Sequence, residues 1–316
     1  MLFSPKPLHI PDGFLSPLVA IIGWVLALVV IGVALRQTRR QLGERQVPLM
    51  GILAAFIFAA QAINFPVAAG TSGHLLGGTL AAIVLGPWAA TLIMTAVIGV
   101  QAFIFQDGGL LALGWNVLNM GVLTAFSGYL SYRWLYRMIG KKTAARAAAA
   151  FAAAWLSVEL GAMATAVELA VSGTSPLAIG LPAMAGVHAL IGVGEGLITS
   201  GAVSLLQVSR LEVLEAGEHA PGRSSAAVVA LGLLLAITVA AFSPLASPNP
   251  DGLEFVAQQR GFIDRGLEPA YSLLADYSVP FIKNPAATTI LAVALGTLIV
   301  FTLAWLMGRR VVQVDR

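Results

Sequence analysis

The 316-residue chain is 58% hydrophobic and only 10% charged, where a water-soluble domain carries roughly 25% charged residues. That deficit excludes an ordinary soluble fold, so the net charge of +3 reads as Lys and Arg gathered in loops on one membrane side rather than as a nucleic-acid surface. The absence of cysteine removes disulfides, thiolate metal sites and Cys nucleophiles together, and leaves any metal site to nitrogen and oxygen ligands.

A helix crosses the hydrocarbon core with about 20 apolar residues. Such runs fall at 14–35, 48–66, 75–105, 117–139, 147–171, 182–208, 225–246 and 285–308. The first is too long for a signal-peptide core of about 7–15 residues and predicts a retained span. The run 75–105 is broken by Gly86-Pro87, which marks a kink or a turn. Charge chooses between them. Arg36, Arg39, Arg40 and Arg45 follow the first run, and Arg133, Arg137, Lys141, Lys142 and Arg146 follow the fourth. Both groups share the cytoplasmic side only if 75–105 crosses twice. The outside then keeps Lys6, Arg260, Arg265 and Lys283 alone. This predicts nine crossings: a unit at 1–208 with seven spans, a polar cytoplasmic linker at 209–224, and a unit at 225–316 with two spans around an external segment.

The outer loops hold the most informative residues. His9-Ile10-Pro11-Asp12-Gly13-Phe14-Leu15 precedes the first span. Asn64-Phe65-Pro66 ends the second, followed by Gly70-Thr71-Ser72-Gly73-His74-Leu75-Leu76-Gly77-Gly78. Asp107-Gly108-Gly109 lies two crossings later, with Trp115, Asn116 and Asn119. Imidazole is the commonest protein ligand for late first-row metals, so two His at external mouths are candidates for one shared ion. The alternative is a pair of loop histidines bonded to backbone.

These segments, with Ile191-Gly192-Val193-Gly194-Glu195-Gly196-Leu197-Ile198-Thr199, resemble the CbiM/NikM family, the substrate-capture components of energy-coupling-factor transporters for cobalt and nickel. The resemblance spans roughly 9–208. Pro250-Asp251-Gly252-Leu253-Glu254 is similar to the PDGLE signature of the small CbiN-like component, so the chain reads as a fusion of the two. The resemblance implies a nearly planar four-nitrogen site, in which the amino group, amide nitrogen and imidazole of a Met-His segment join a second imidazole. His9 matches the first His and His74 the second. Asp12, Asn64, Ser72, Asp107 and Asn116 are the polar residues expected to support them. The implied substrate is Co(II) or Ni(II), with no resident cofactor. The implied partners are a membrane coupling subunit, separate ATPases and the bilayer, with no nucleic acid. Eight residues precede His9, so Met1 cannot place its amine beside it. Translation starting at Leu8 is expected to restore that geometry; the alternatives are that the chain is trimmed, or that other ligands such as Asp12 or a water complete the site.

Glu159, Glu168, His188 and Glu195 lie in or near spans, where ionisable groups are costly and usually functional. Glu195 follows His188 by two helical turns on the same face, and the pair predicts a polar path or supporting network; a satisfied interhelical hydrogen bond is the alternative. His219 reads as a solvated linker residue. Ala55 and Ala59 form a small-xxx-small face, for the coupling subunit or for internal packing. Gly140-Lys141-Lys142-Thr143 lacks the upstream glycine of a phosphate-cradling loop, so ATP hydrolysis is expected from other subunits. A rival reading pairs Ser72, in a rhomboid-like Gly-x-Ser-Gly, with His188 as base; a passive or proton-coupled carrier is a third. The expectation carried forward is an all-α polytopic membrane bundle of about nine helices, seven plus two. It belongs in a bacterial or archaeal cell membrane with its N-terminus outside and C-terminus cytoplasmic, and it captures metal rather than acting as an enzyme.

Overall fold

The computed structural model of the protein describes residues 9–140, 142–209 and 226–313. Residues 1–8, where the expected start at Leu8 falls, and the linker with His219 lie outside the described residues. The helices are α1 Pro17–Gln41, α2 Val47–Gln61, α3 Gly78–Leu85 and α4 Pro87–Val100, the last continuing to Phe105 as a π-helical turn. Then come α5 Leu113–Asn116 and α6 Thr124–Ile139, joined by a π-helical stretch Val117–Leu123. α7 Thr143–Val171, α8 Leu177–Ser209, α9 Ala226–Ala241, α10 Gly252–Arg260 and α11 Pro285–Gln313 complete them. Pro17, Pro48, Pro87 and Pro285 stand in first turns, where a fixed φ suits the helix and the missing N–H costs nothing.

Among the described residues, six helices are long and apolar enough to cross a membrane, and Val47–Gln61 is a shorter apolar one. Each satisfies its backbone internally, as a medium without water demands. α1 turns Leu18, Ile21, Val25, Leu28 and Val29 outward, a face that suits lipid and not water.

The run 75–105 does divide at Gly86, which has φ of +81°, but not into two comparable helices. α3 has 8 residues, about 12 Å at 1.5 Å per residue, under half the hydrocarbon thickness. The loop 62–77 makes up the difference by folding back among the helices. Glu195, well inside α8, accepts the N–H groups of Leu76 (2.6 Å) and Gly77 (3.0 Å). A carboxylate there meets both the free donors and the positive end of the α3 dipole. Glycines let α3 lie close on α6, since a side-chain carbon at Gly128 would strike Thr79 and one at Gly78 would strike Thr124.

Apart from α10, the α-helices, with α5, its π-helical stretch and α6 counted as one, alternate direction and define two ends. One carries His9, the loop 62–77, residues 106–112 and the segment 242–284. The other carries Arg36, Arg39, Arg40, Arg133, Arg137, Arg146, Arg309 and Arg310.

The second unit lies on the first along α2. α11 runs antiparallel to it: Phe301 fills the space at Gly51, Phe58 that at Gly296, and Met50 that at Gly308. Ala55 and Ala59, on this stretch of α2, are fully buried. Their small-residue face is packed within this chain, the internal-packing alternative of the two that the sequence left open. Segment 242–284 caps the end that carries His9. Ser247 and Ser72 donate across the two units to Asn64 O and Pro250 O, each at 2.8 Å, and Leu267 donates to Asp12 O at 2.8 Å.

Candidate metal centre

His9 and His74 come from chain segments with two helices between them, and their rings meet edge to face with centroids 5.8 Å apart. An imidazole ligand places its ring centre about 3.2 Å from a metal bound at 2.0–2.1 Å. Two ligands of one ion then have centroids about 4.5 Å apart when cis and about 6.4 Å apart when trans. The observed spacing lies inside that window. Both residues are buried and line a cavity of about 70 Å³ with Asn116, Asn119, Met184, His188, Asp251 and Gly252.

The segment holding His9 is fixed by side chains from across the bundle. Asn116 reads the backbone of Ile10 twice: its Oδ1 accepts from Ile10 N and its Nδ2 donates to Ile10 O, both at 3.1 Å. Asn116 sits where α5 passes into the π-helical stretch, a distortion frequent at functional sites. Asp12 does not face the ion site. Its carboxylate accepts the N–H groups of Leu110 (3.0 Å), Leu111 (2.8 Å) and Ala112 (3.1 Å), so it fastens the loop 108–112 to the His9 segment. That arrangement speaks against Asp12 as a substitute ligand.

His9 Nδ1 lies 3.0 Å from Asp107 O and 3.3 Å from Asp107 Oδ1. A carbonyl oxygen has no hydrogen to give, so Nδ1 carries the proton and Nε2 keeps the lone pair. Nε2 is buried with no hydrogen-bond partner. The chelate implied by the resemblance closes through Nδ1, which alone makes a six-membered ring with the amide nitrogen of its own residue. In this structure that nitrogen is occupied by Asp107. Asp107 is held in turn by Tyr277 of the second unit, whose hydroxyl donates to Oδ2 at 2.7 Å. The Tyr277 ring stacks on Phe105 at 4.6 Å, and burial beside the Asp107 charge pushes its phenol well above the usual range.

Ser72 is fully buried, and its hydroxyl bonds to Asn249 O (2.8 Å), Pro250 O (3.2 Å) and the Asn64 amide (3.4 Å). His188 Nδ1 lies 2.8 Å from Met184 O. Ser72 and His188 thus spend these groups on other partners, and the hydrogen-bonded dyad of the protease reading is not formed. Glu195 and His188 also part company: Glu195 clamps the loop after His74, while His188 lines the cavity. Glu168 receives the Asn119 amide at 3.0 Å, beside the same cavity.

Tyr277, Asp251 and Gly252 of the second unit are among the residues that reach this centre without having been singled out individually. Tyr277 belongs to no motif and carried no signal. Asp251 and Gly252 lie in the PDGLE-like run, which marked a unit but not a place. Asp251 caps α10 by accepting from Glu254 N at 2.6 Å. Burial first, then the nearby Glu254 and Asp107 charges, hold its carboxyl well above the ordinary 3.8.

Residues 9–213 match the family described as the cobalt uptake substrate-specific transmembrane region, and residues 226–313 match the PDGLE domain. A protein of Archaeoglobus fulgidus, named as a fused nickel transport protein (NikMN), is 38% identical over 96% of this chain and 98% of its own length. The cobalt transport protein CbiM of Geobacter sulfurreducens is 31% identical over 84% of this chain and 81% of its own. A crystal structure described as a truncated transition metal transporter superposes with a TM-score of 0.57 and 33% identity, covering 64% of this chain and 99% of that one. The chain belongs to the CbiM family of cobalt-uptake transmembrane proteins, joined in one polypeptide to a PDGLE domain.

Proposed function

We propose that the chain is the substrate-capture subunit of an ATP-driven importer for Ni(II) or Co(II). It takes the ion at His9 and His74 from outside the cell and releases it inward in concert with a membrane coupling subunit and separate ATPases. The observation that carries this is the pairing of two buried imidazoles at the spacing of co-ligands. Neutral imidazole nitrogen suits both metals, and their order of affinity does not select between them. The relatives named as nickel proteins share the fused architecture. The end rich in arginine faces the cytoplasm by the positive-inside rule, which turns the His9 end outward in a bacterial or archaeal cell membrane. Without a phosphate-cradling loop in its sequence, the chain relies on others for ATP.

The test is uptake of radioactive nickel and cobalt by cells lacking their own importers. The chain with its coupling and ATPase subunits should accumulate one of the two metals, and should fail when the ATPases carry an inactivated phosphate loop. Uptake that persists with inactive ATPases would favour a passive or proton-coupled carrier.

A further inference from the structure

Glu159 is an intramembrane carboxylate that the ion site does not use. It stands about 18 Å below the outer end of α7 at 1.5 Å per residue, near the centre of the hydrocarbon. Glu195 and Glu168 both receive N–H groups. No donor reaches Glu159 Oε1 among the described residues, and that oxygen is enclosed. The residue is 7% exposed, and the hydrocarbon offers no water in place of a donor. Ionisable groups at this depth are otherwise paired or turned to a polar cavity. Trp155, one turn nearer the cytoplasmic end, donates its ring N–H to Ala189 O at 2.9 Å and lies over Gly192. α7 and α8 run antiparallel, so Glu159 meets α8 one turn earlier, around Ala185 and Gly186. There the α8 surface is hollow. Side-chain carbons built at Gly186 and Gly201 would meet nothing within 4 Å. Both glycines are exposed, at helical spacing with the exposed Leu190, Val193 and Leu197. Small residues on such a stripe let a second helix approach closely in lipid.

We propose that the α7–α8 face receives a transmembrane helix of the coupling subunit, which brings a hydrogen-bond donor to Glu159 at mid-bilayer depth. The inference rests on the importer reading, which supplies such a subunit. A second copy of this chain does not meet the need. A twofold contact presents the same patch from both sides, and at this level the patch carries a carboxylate beside the apolar Leu190 and Val193, with no donor to exchange. A lysine, arginine, asparagine or glutamine on a different helix supplies one, and the hollow at Gly186 lets that helix come close enough to deliver it. The ion cavity takes another flank of α7, with Val158, Ala162 and Thr165, so docking at Glu159 leaves the capture residues untouched.

The experiment uses the full chain with its coupling and ATPase subunits. A photoreactive side chain is placed at Leu190, or at Leu28 on the outward face of α1, and irradiated in membranes. Association of the chain with the coupling subunit is titrated by energy transfer in proteoliposomes, and each variant alone is checked by melting and nickel dialysis. The group at Leu190 should cross-link to the coupling subunit, and the group at Leu28 should not. Glu159→Leu should weaken association by roughly 3–20-fold, the range of one interhelical hydrogen bond in a bilayer. Glu159→Gln, which keeps an acceptor oxygen, should lose less. Gly186→Leu, which fills the hollow, should weaken association too, while all three variants alone melt and bind nickel like the wild type. Cross-links from Leu190 only to a second copy of this chain, or unchanged association in both Glu159→Leu and Gly186→Leu, would overturn the proposal and leave ATP-dependent uptake standing. A wild-type chain that binds no coupling subunit, with uptake indifferent to the ATPases, would remove the importer reading and this inference with it.

Discussion

Replacing Glu195 with Gln should loosen the loop that carries His74. The carboxylate accepts two N–H groups, from Leu76 at 2.6 Å and Gly77 at 3.0 Å, in a position with no solvent exposure. A glutamine of nearly the same volume keeps one acceptor and turns its NH2 group toward the other donor. One buried N–H is then unsatisfied, at about 1–3 kcal/mol. A glutamine opens no hole for water to repair the loss, which makes it a cleaner probe than alanine. If that whole energy falls on the metal-competent loop, nickel affinity drops by about 5–150-fold at 1.4 kcal/mol per tenfold. Glu159→Gln is the control, because Glu159 Oε1 has no hydrogen-bond partner to lose. Melting in nanodiscs and nickel dialysis should separate the two variants. A Glu195→Gln protein that melts and binds like the wild type would refute the clamp.

Tyr277→Phe keeps the ring on Phe105 but removes the bond to Asp107, so stability should fall by about 1.5–3 kcal/mol and nickel affinity by up to about 10–100-fold; equal affinity would disconnect the second unit from the His9 site. The Asp251 carboxyl is raised in the folded protein, so its stabilising contribution is complete below the ordinary 3.8 and is lost as pH rises through the folded-state value. Asn caps helices as well as Asp, so Asp251→Asn should gain melting temperature relative to wild type as pH climbs from about 4 to 8; parallel pH curves would contradict that. The chain has no cysteine, so single reporters are clean: Ser272→Cys should react with an impermeant thiol reagent outside cells and Lys142→Cys should not. Labelling at 142 from outside would invert the topology.

Hydropathy and proline placement made the helices legible, and the helices overrun the apolar runs only where water permits. α7 begins at Thr143 and α11 continues to Gln313, past arginines that belong outside the hydrocarbon. The half-length of α3 was not legible, because what supports the inserted loop is a carboxylate more than a hundred residues away. Ala55 and Ala59 announced close packing but not whose helix they meet, since small-residue spacing carries no partner identity. The resemblance paired His9 with His74, whose ring centroids lie 5.8 Å apart. It did not separate Asp12, whose oxygens are taken by backbone donors, from Asp107, which faces the ring. His188 and Glu195 share a face in sequence, yet one meets the cavity and the other meets the loop beneath it. Only the fold could divide them.

The most direct test of metal capture is equilibrium dialysis of Ni(II) against the full chain in nanodiscs, comparing wild type with His9→Ala and His74→Ala. Each imidazole is one of a few strong nitrogen ligands, so either substitution should abolish tight binding while the metal-free proteins melt like the wild type. Wild-type affinity in a folded His74→Ala protein would contradict the account.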